Sequence, residues 1–304
     1  MIRTGLVGCG SFGKNHLRIL KELNPPFVGI HDANPDHGRS MAESSEVAFY
    51  PDLDNLFSAC DAVVVAVPTI HHYSVASRAM EAGCHVLVEK PITETVEEAH
   101  KLTELADRTK RVLAVGHVER HNPVVRHLLT TVTRPKYAVI ERLSPFTRRS
   151  LDIDVILDLM IHDLQIVVEL AGSMPEDIKA LGIPVLSPRV DMATAHLTFP
   201  SGFMAHITAS RVSETRIRKL RVFHGSAYVS VDYAEKTWKG YRLAQSPDGP
   251  AIEEEKPVIE MSEPLVSELS DFLEACRTGR KPLVDGVKAG QALELAKTIQ
   301  EVVQ

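Results

Sequence analysis

Three residues far apart in the chain have the types needed to move a proton at a carbon–oxygen bond: Lys90, Asp158 and His162. Asp158 and His162 are four apart in an apolar run that includes Val155, Ile156, Leu157, Leu159, Met160, Ile161, Leu164 and Ile166. That spacing sets both on one face of a buried helix. A polar pair there costs roughly several kcal/mol unless it is hydrogen-bonded. An imidazole beside a carboxylate suits general acid or base work near neutral pH. Lys90 follows the apolar stretch His85–Glu89, at the carboxyl end of an expected strand, where ligands bind in parallel sheets. Each residue also has an ordinary reading: a solvated lysine before a proline, and a buried i,i+4 hydrogen bond.

A second group has the types that hold a dinucleotide. Gly8-Cys9-Gly10-Ser11-Phe12-Gly13 fits GxGxxG, following a strand and opening a helix. Gly8 permits the tight turn, Gly10 lets backbone approach a pyrophosphate, and Gly13 allows close helix–strand packing. The helix N-terminus presents unpaired N–H groups to the phosphates. Asp32 ends the second strand, 19 residues after Gly13, where a carboxylate accepts from ribose hydroxyls and repels a 2′-phosphate. This favours NAD over NADP. The competing readings are a ligand-free glycine turn and an Asp32 that only starts the turn Asp32-Ala33-Asn34-Pro35.

These residues need a scaffold, and the chain supplies two patterns. Up to about residue 117, short apolar strands alternate with helical segments, the signature of a parallel α/β sheet. Strands are expected at Thr4–Val7, Phe27–His31, Val47–Phe49, Ala62–Val67, His85–Glu89 and Val112–Val115. Helices are expected at Phe12–Leu23, Pro35–Ser44, Leu53–Ser58, His72–Ala82 and Thr95–Arg108. Then come consecutive strands, Tyr137–Leu143, Met192–Phe199, Phe203–Val212, Arg218–His224 and Ala227–Tyr233, which imply an antiparallel sheet. A helix at Asp154–Leu170 precedes most of them, and Leu265–Thr278 and Asp285–Val303 close the chain. Ser246–Glu255 reads as an exposed loop, and Pro123 as a limit on any helix after His121. The expected class is α/β. A Rossmann parallel sheet over 1–118 binds NAD, and 119–304 forms an open, mainly antiparallel sheet for substrate binding and oligomerisation. The C-terminal helix is a candidate to pack back on the first domain.

The glycine loop, Pro68-Thr69-Ile70-His71-His72 and Glu89-Lys90-Pro91 occur in an order that resembles the glucose–fructose oxidoreductase/inositol dehydrogenase (Gfo/Idh/MocA) family. His16, Arg120, Pro123 and the helix with Asp158 and His162 extend the resemblance over essentially the whole chain. It implies hydride transfer between nicotinamide and a secondary hydroxyl or ketone of a sugar, with Lys90 and His162 in proton transfer and Asp158 orienting them. The cofactor set it implies is Gly8, Gly10, Ser11, Phe12, Gly13, Asp32, Val67, Pro68, His72, Glu89 and Lys90; His72 lies near the nicotinamide ribose. Two positions depart from the family helix Asp-x-Gly-x-His-x-x-Asp: Met160 replaces the glycine and Gln165 the last acid. Asp163 is turned about 100° from His162 and is no simple substitute.

The strings Gly116–Pro123 and Leu157–Asp163 resemble a nucleotide-sugar branch of the family, with the 3-position of UDP-N-acetylglucosamine as the expected carbon. Arg120, with Lys90 and His162, is the expected substrate contact; Arg120, Arg142, Arg148 and Arg149 are candidates for a diphosphate, or solvated surface charges. A free polyol or aldose dehydrogenase, inositol-like, is the rival enzyme, and a non-catalytic NAD-binding sensor the rival from another class. The net charge of -6 disfavours nucleic acid and acidic membranes. The apolar stretch Val155–Ala171 is broken by Asp158, His162, Asp163, Gln165 and Glu169, so it is no membrane span. Cys9, Cys60, Cys84 and Cys276 lack CxxC spacing and read as reduced, and Met1–Val7 runs straight into a strand, so a cytoplasmic protein is expected. His71, His72, His117 and His121 come with no cysteine, and no metal is expected. An open sheet has a face to cover, so a homodimer or homotetramer is expected.

Overall fold

A computed structural model describes residues 1–147, 153–225, 227–246 and 249–303. The chain divides into two compact units: Met1–Val118 with Glu263–Gly290, and Glu119–Ser262 with Gln291–Gln304.

The first unit is built on β1 (Thr4–Val7), β2 (Phe27–His31), β3 (Ala62–Val65), β4 (His85–Glu89) and β5 (Leu113–Gly116). All pair in parallel, in the order β2-β1-β3-β4-β5. The order reverses between β1 and β3, which opens a crevice at their carboxyl ends. Its helices are α1 (Ser11–Leu23), α2 (Pro35–Ser45), α3 (Leu53–Ala59), α4 (His72–Glu81) and α5 (Val96–Thr109). Central strands buried on both faces need unbroken apolar runs, and Ala62–Val65 is buried throughout. Ala66 and Val67 leave the sheet instead of continuing β3, and Val47–Phe49 reduces to one bridge between Ile30 and Phe49.

The second unit begins with a 3₁₀ turn, Val118–His121, and α6 (Pro123–Thr131). Pro123 starts this helix rather than limiting it: it sits in the first turn, where its missing N–H is no loss, and the Asn122 side chain caps the end. The sheet comprises β6 (Pro135–Leu143), β7 (Asp177–Ile183), β8 (Met192–Thr198), β9 (Met204–Ser210), β10 (Ile217–His224), β11 (Ala227–Asp232), β12 (Thr237–Ser246) and β13 (Gly249–Glu255). Its order is β13-β12-β11-β10-β6-β9-β8-β7, antiparallel except for the β6–β9 pair. Ser246–Glu255 is therefore largely an edge strand rather than a loop. Its run of acids, Glu253–Glu255, hid it, and charge on an edge strand discourages pairing with other chains.

A single π turn, Ile156–Met160, leads into α7 (Ile161–Ala171), the two packed on one face of this sheet against β9 and β6. Then α8 (Pro264–Thr278) and α9 (Gly286–Val303) complete the chain. Residues 263–290 count with the first unit although sequence alone put them in the second, because Leu269, Phe272 and Cys276 of α8 join the core of α1 and β1. Among the described residues, no helix is long and apolar enough to cross a membrane.

Candidate active site

The glycine loop after β1 is shaped by sterics. Gly8 has φ +93°, and a Cβ there would lie 2.4 Å from the Ala66 carbonyl oxygen. A Cβ on Gly13 would lie 2.0 Å from the Gly8 oxygen, so α1 could not approach the strand. Gly10 differs: a Cβ would meet nothing within 4 Å, so the space above it is open. Gly10 is also the N-cap of α1, and no side chain caps that end. Ser11 and Phe12, in the first turn, are exposed. Unspent amides beneath open space form an anion cradle that fits a pyrophosphate.

Asp32 closes one side of this loop. Its Oδ2 accepts from the Cys9 N–H at 2.8 Å and its Oδ1 from the Asn34 N–H at 2.9 Å. The turn reading of Asp32 therefore holds, and the same carboxylate also braces the glycine loop. His37, which sequence reasoning missed, brings Nε2 to 3.0 Å from the Cys9 oxygen. Burial pushes the Cys9 thiol up to about 12, so it is inert.

The carboxyl ends of β3 and β4 carry the remaining first-unit residues. His72 at the start of α4 is buried, with Nδ1 at 2.8 Å from the Pro91 oxygen and Nε2 at 2.9 Å from the Val67 oxygen. Burial pushes its pKa below the ordinary range, against the pull of those carbonyls. The ring thus ties the Val67-Pro68 turn to the segment after Lys90. Glu89 pairs with His16 of α1, Oε1 to Nε2 at 2.6 Å, while Oε2 accepts from the Lys90 N–H at 3.2 Å. Burial raises the Glu89 pKa, but His16 and Lys90 more than offset this and hold it below the usual carboxylate range. Glu89 and His72 therefore bind protein groups that hold Lys90's end of β4.

Glu268 of α8 was not anticipated. It falls on the stripe of Leu265, Leu269, Phe272 and Cys276, and it is buried with neither side-chain oxygen hydrogen-bonded. Burial pushes its pKa well above the usual range, and the charges of Glu89 and Asp271 push the same way. An acid on an apolar helical stripe was the available signal.

In the second unit, Asp158 lies in the π turn and His162 in the first turn of α7, both half-buried. The i→i+5 winding across Asp158 means that simple 3.6-residue spacing does not describe the whole stretch. Met160, at the family's glycine position, is fully buried. Asp163 is also buried. It accepts from Arg142 Nε at 2.6 Å and Nη2 at 2.9 Å, while Arg142 Nη1 reaches Glu119 at 2.9 Å. Arg142 is thus an internal residue, not a diphosphate contact. Arg120 is buried too, bidentate to Glu169 at 2.8 and 2.9 Å, and Gln165 Nε2 donates to the same carboxylate at 2.9 Å. Arg148 and Arg149 lie outside the described residues. His71 is exposed, and among the described residues no three histidines, cysteines or acids gather as a metal site.

Residues 2–117 match the family model of the oxidoreductase family with an NAD-binding Rossmann fold, and residues 124–227 that of the GFO/IDH/MocA C-terminal domain. UDP-N-acetylglucosamine 3-dehydrogenase of Acidithiobacillus ferrooxidans is 36% identical over 306 residues, 100% of this chain and 97% of that protein. The chain belongs to the GFO/IDH/MocA oxidoreductase family. The solved structure of that relative matches with a TM-score of 0.93 over 99% of this chain and 97% of the other. Inositol 2-dehydrogenase 1 of Saccharopolyspora erythraea is 34% identical over 40% of this chain and 38% of its own length. Levoglucosan dehydrogenase in complex with NADH, at 16% identity, shares the fold with a TM-score of 0.87 over 99% of this chain and 96% of that one. As a GFO/IDH/MocA member the protein is an NAD-dependent dehydrogenase acting on CH–OH groups.

Proposed function

We propose that the protein oxidises the 3-hydroxyl of a UDP-N-acetylamino sugar, UDP-N-acetylglucosamine first among candidates. The observation that carries this is the 36% identity to a UDP-N-acetylglucosamine 3-dehydrogenase along 100% of this chain and 97% of that protein, against inositol dehydrogenases that match either over shorter stretches or, along 97% of this chain, at only 23% identity. NAD, when bound, supplies the hydride acceptor. Gly8, Gly10, Ser11, Phe12 and Gly13 cradle its pyrophosphate, and Asp32 takes the ribose hydroxyls. The one proton of the substrate hydroxyl is shared between Lys90 and His162 as its carbon loses hydride, and Asp158 orients them. Glu89, paired with His16 and accepting from the Lys90 N–H, holds the Lys90 end of β4 in place.

We also propose a homo-oligomer formed through the outer face of the second sheet. Tyr137, Phe223, Tyr228 and Tyr241 run across four neighbouring strands with ring centroids 5.0 to 6.5 Å apart, and three of the four are exposed. Light scattering checks this, a monomer counting against it. In this reading the protein works in the cytoplasm.

The substrate test is NADH formation with UDP-N-acetylglucosamine, free N-acetylglucosamine and myo-inositol side by side. Turnover of the nucleotide sugar alone supports the reading. Turnover of myo-inositol alone removes the nucleotide sugar and keeps the dehydrogenase.

A further inference from the structure

We infer that Arg120 and Glu169 are positioning residues for His162, and that Arg120 takes no substrate phosphate. The inference rests on the role given above to His162. Arg120 stands in the 3₁₀ turn Val118–His121, and its Nε and Nη2 both point to the Glu169 carboxylate on α7. Gln165, where the family pattern has an acid, donates to the same carboxylate and steadies it from one turn below. One residue before Arg120, Glu119 accepts from Arg142, which also holds Asp163, the residue after His162. The same short turn is therefore joined to α7 twice, directly through Arg120 and indirectly through Arg142.

The angles give these joints their effect. At about 100° per residue, Glu169 lies roughly 20° to one side of His162 and Asp163 about 100° to the other. A single tie would leave the helix free to roll about its axis; two ties about 120° apart, on either side of His162, do not. Arg120 matches Glu169, and Arg142 with Arg218 matches Asp163 with Glu119. A phosphate bound by Arg120 would have to displace a bidentate carboxylate on a mostly buried guanidinium.

The test uses the full chain as wild type, Arg120→Ala, Glu169→Ala, their double variant, and the reversed pair Arg120→Glu with Glu169→Arg. Two readouts are taken: kcat and KM for the sugar that wild type oxidises, and the NMR titration of the His162 imidazole, assigned with His162→Gln. Misplacing a reacting group by about 1 Å costs up to about 100-fold, so each single variant is expected to lower kcat roughly 10- to 100-fold with little change in KM. Each also shifts the His162 titration, the double variant is no worse than either single, and the reversed pair recovers most of the loss. A raised KM for the nucleotide sugar in Arg120→Ala, with His162 titrating as in wild type, would overturn the inference. So would tighter substrate binding in Glu169→Ala. If the reversed pair does not fold, Glu169→Gln decides: a fallen kcat with an altered titration supports the inference, and unaltered values contradict it. A wild type that oxidises no sugar sinks the substrate proposal, and the titration arm still decides this one.

Discussion

The glycine loop of the first unit and the ionic joints of the second hold functional groups by different means. In the loop, backbone does the holding: Gly8 and Gly13 leave no room for a Cβ, and the open space over Gly10 is what their packing produces. In the second unit, side chains from β6, α7 and the Val118–His121 turn lock one another through buried charges. A loop shaped by absent atoms tolerates almost no substitution at Gly8 and Gly13, yet is written in six consecutive residues. A network of charges has partners up to 99 residues apart, as between Glu119 and Arg218, and is written nowhere locally.

The largest expected effect breaks the second arrangement. Arg142→Met leaves Asp163 and Glu119 buried with a partner removed, and losing one member of a buried ion pair costs about 3–5 kcal/mol. Denaturant unfolding should show that loss; a change under 1 kcal/mol, roughly a surface-pair effect, would mean water reaches these carboxylates. Next comes Gly8→Ala, which combines a left-handed φ with a clash against the Ala66 oxygen. Strain of this kind costs on the order of 1–3 kcal/mol, and NADH fluorescence titration should show cofactor binding lost as well.

A pH series sharpens the comparison inside the first unit, because Glu89 and Glu268 shift in opposite directions. Glu89 is held below the ordinary range, so its stabilisation is complete above the unfolded carboxylate pKa of about 4.3 and fades as pH falls through the lower folded value. Glu268 is raised, so the folded state keeps a proton that the unfolded state loses, and stability declines as pH rises above about 4.3. Thermal melts should therefore show Glu268→Gln gaining on wild type from pH 5 to pH 8, while the deficit of Glu89→Gln stays constant over that range and shrinks only below about pH 4.3. Parallel curves for the two variants would refute the assigned shifts. The smallest effect on stability is Gly10→Ala: nothing lies within 4 Å of the new methyl, so the melting temperature should stay put while NAD affinity falls. Unchanged affinity would remove the pyrophosphate from that loop.

What was legible follows the same division. Strands β1, β2 and β4, the glycine loop and Asp32 could be read because each depends on neighbours in sequence. The acidic edge strand β13 was hidden because pairing with β12, not an apolar pattern, makes it a strand. Pro123 misled because the same ring that blocks a helix interior suits a helix start. Arg120 and Arg142 read as surface cations able to bind phosphate, since nothing nearby in the chain announces Glu169 or Asp163 as their partners. Glu268 was readable in principle as an acid on an apolar stripe, and His37 becomes relevant only once α2 is seen to touch the loop.

The most direct test of the central claim follows NADH absorbance with UDP-N-acetylglucosamine for wild type and Lys90→Ala, with NADH binding measured on both. General acid–base groups contribute about 100- to 10,000-fold, so the variant should still bind NADH and lose turnover by about that factor at saturating cofactor. A Lys90→Ala variant that stays fully active would contradict the account, whichever sugar is oxidised.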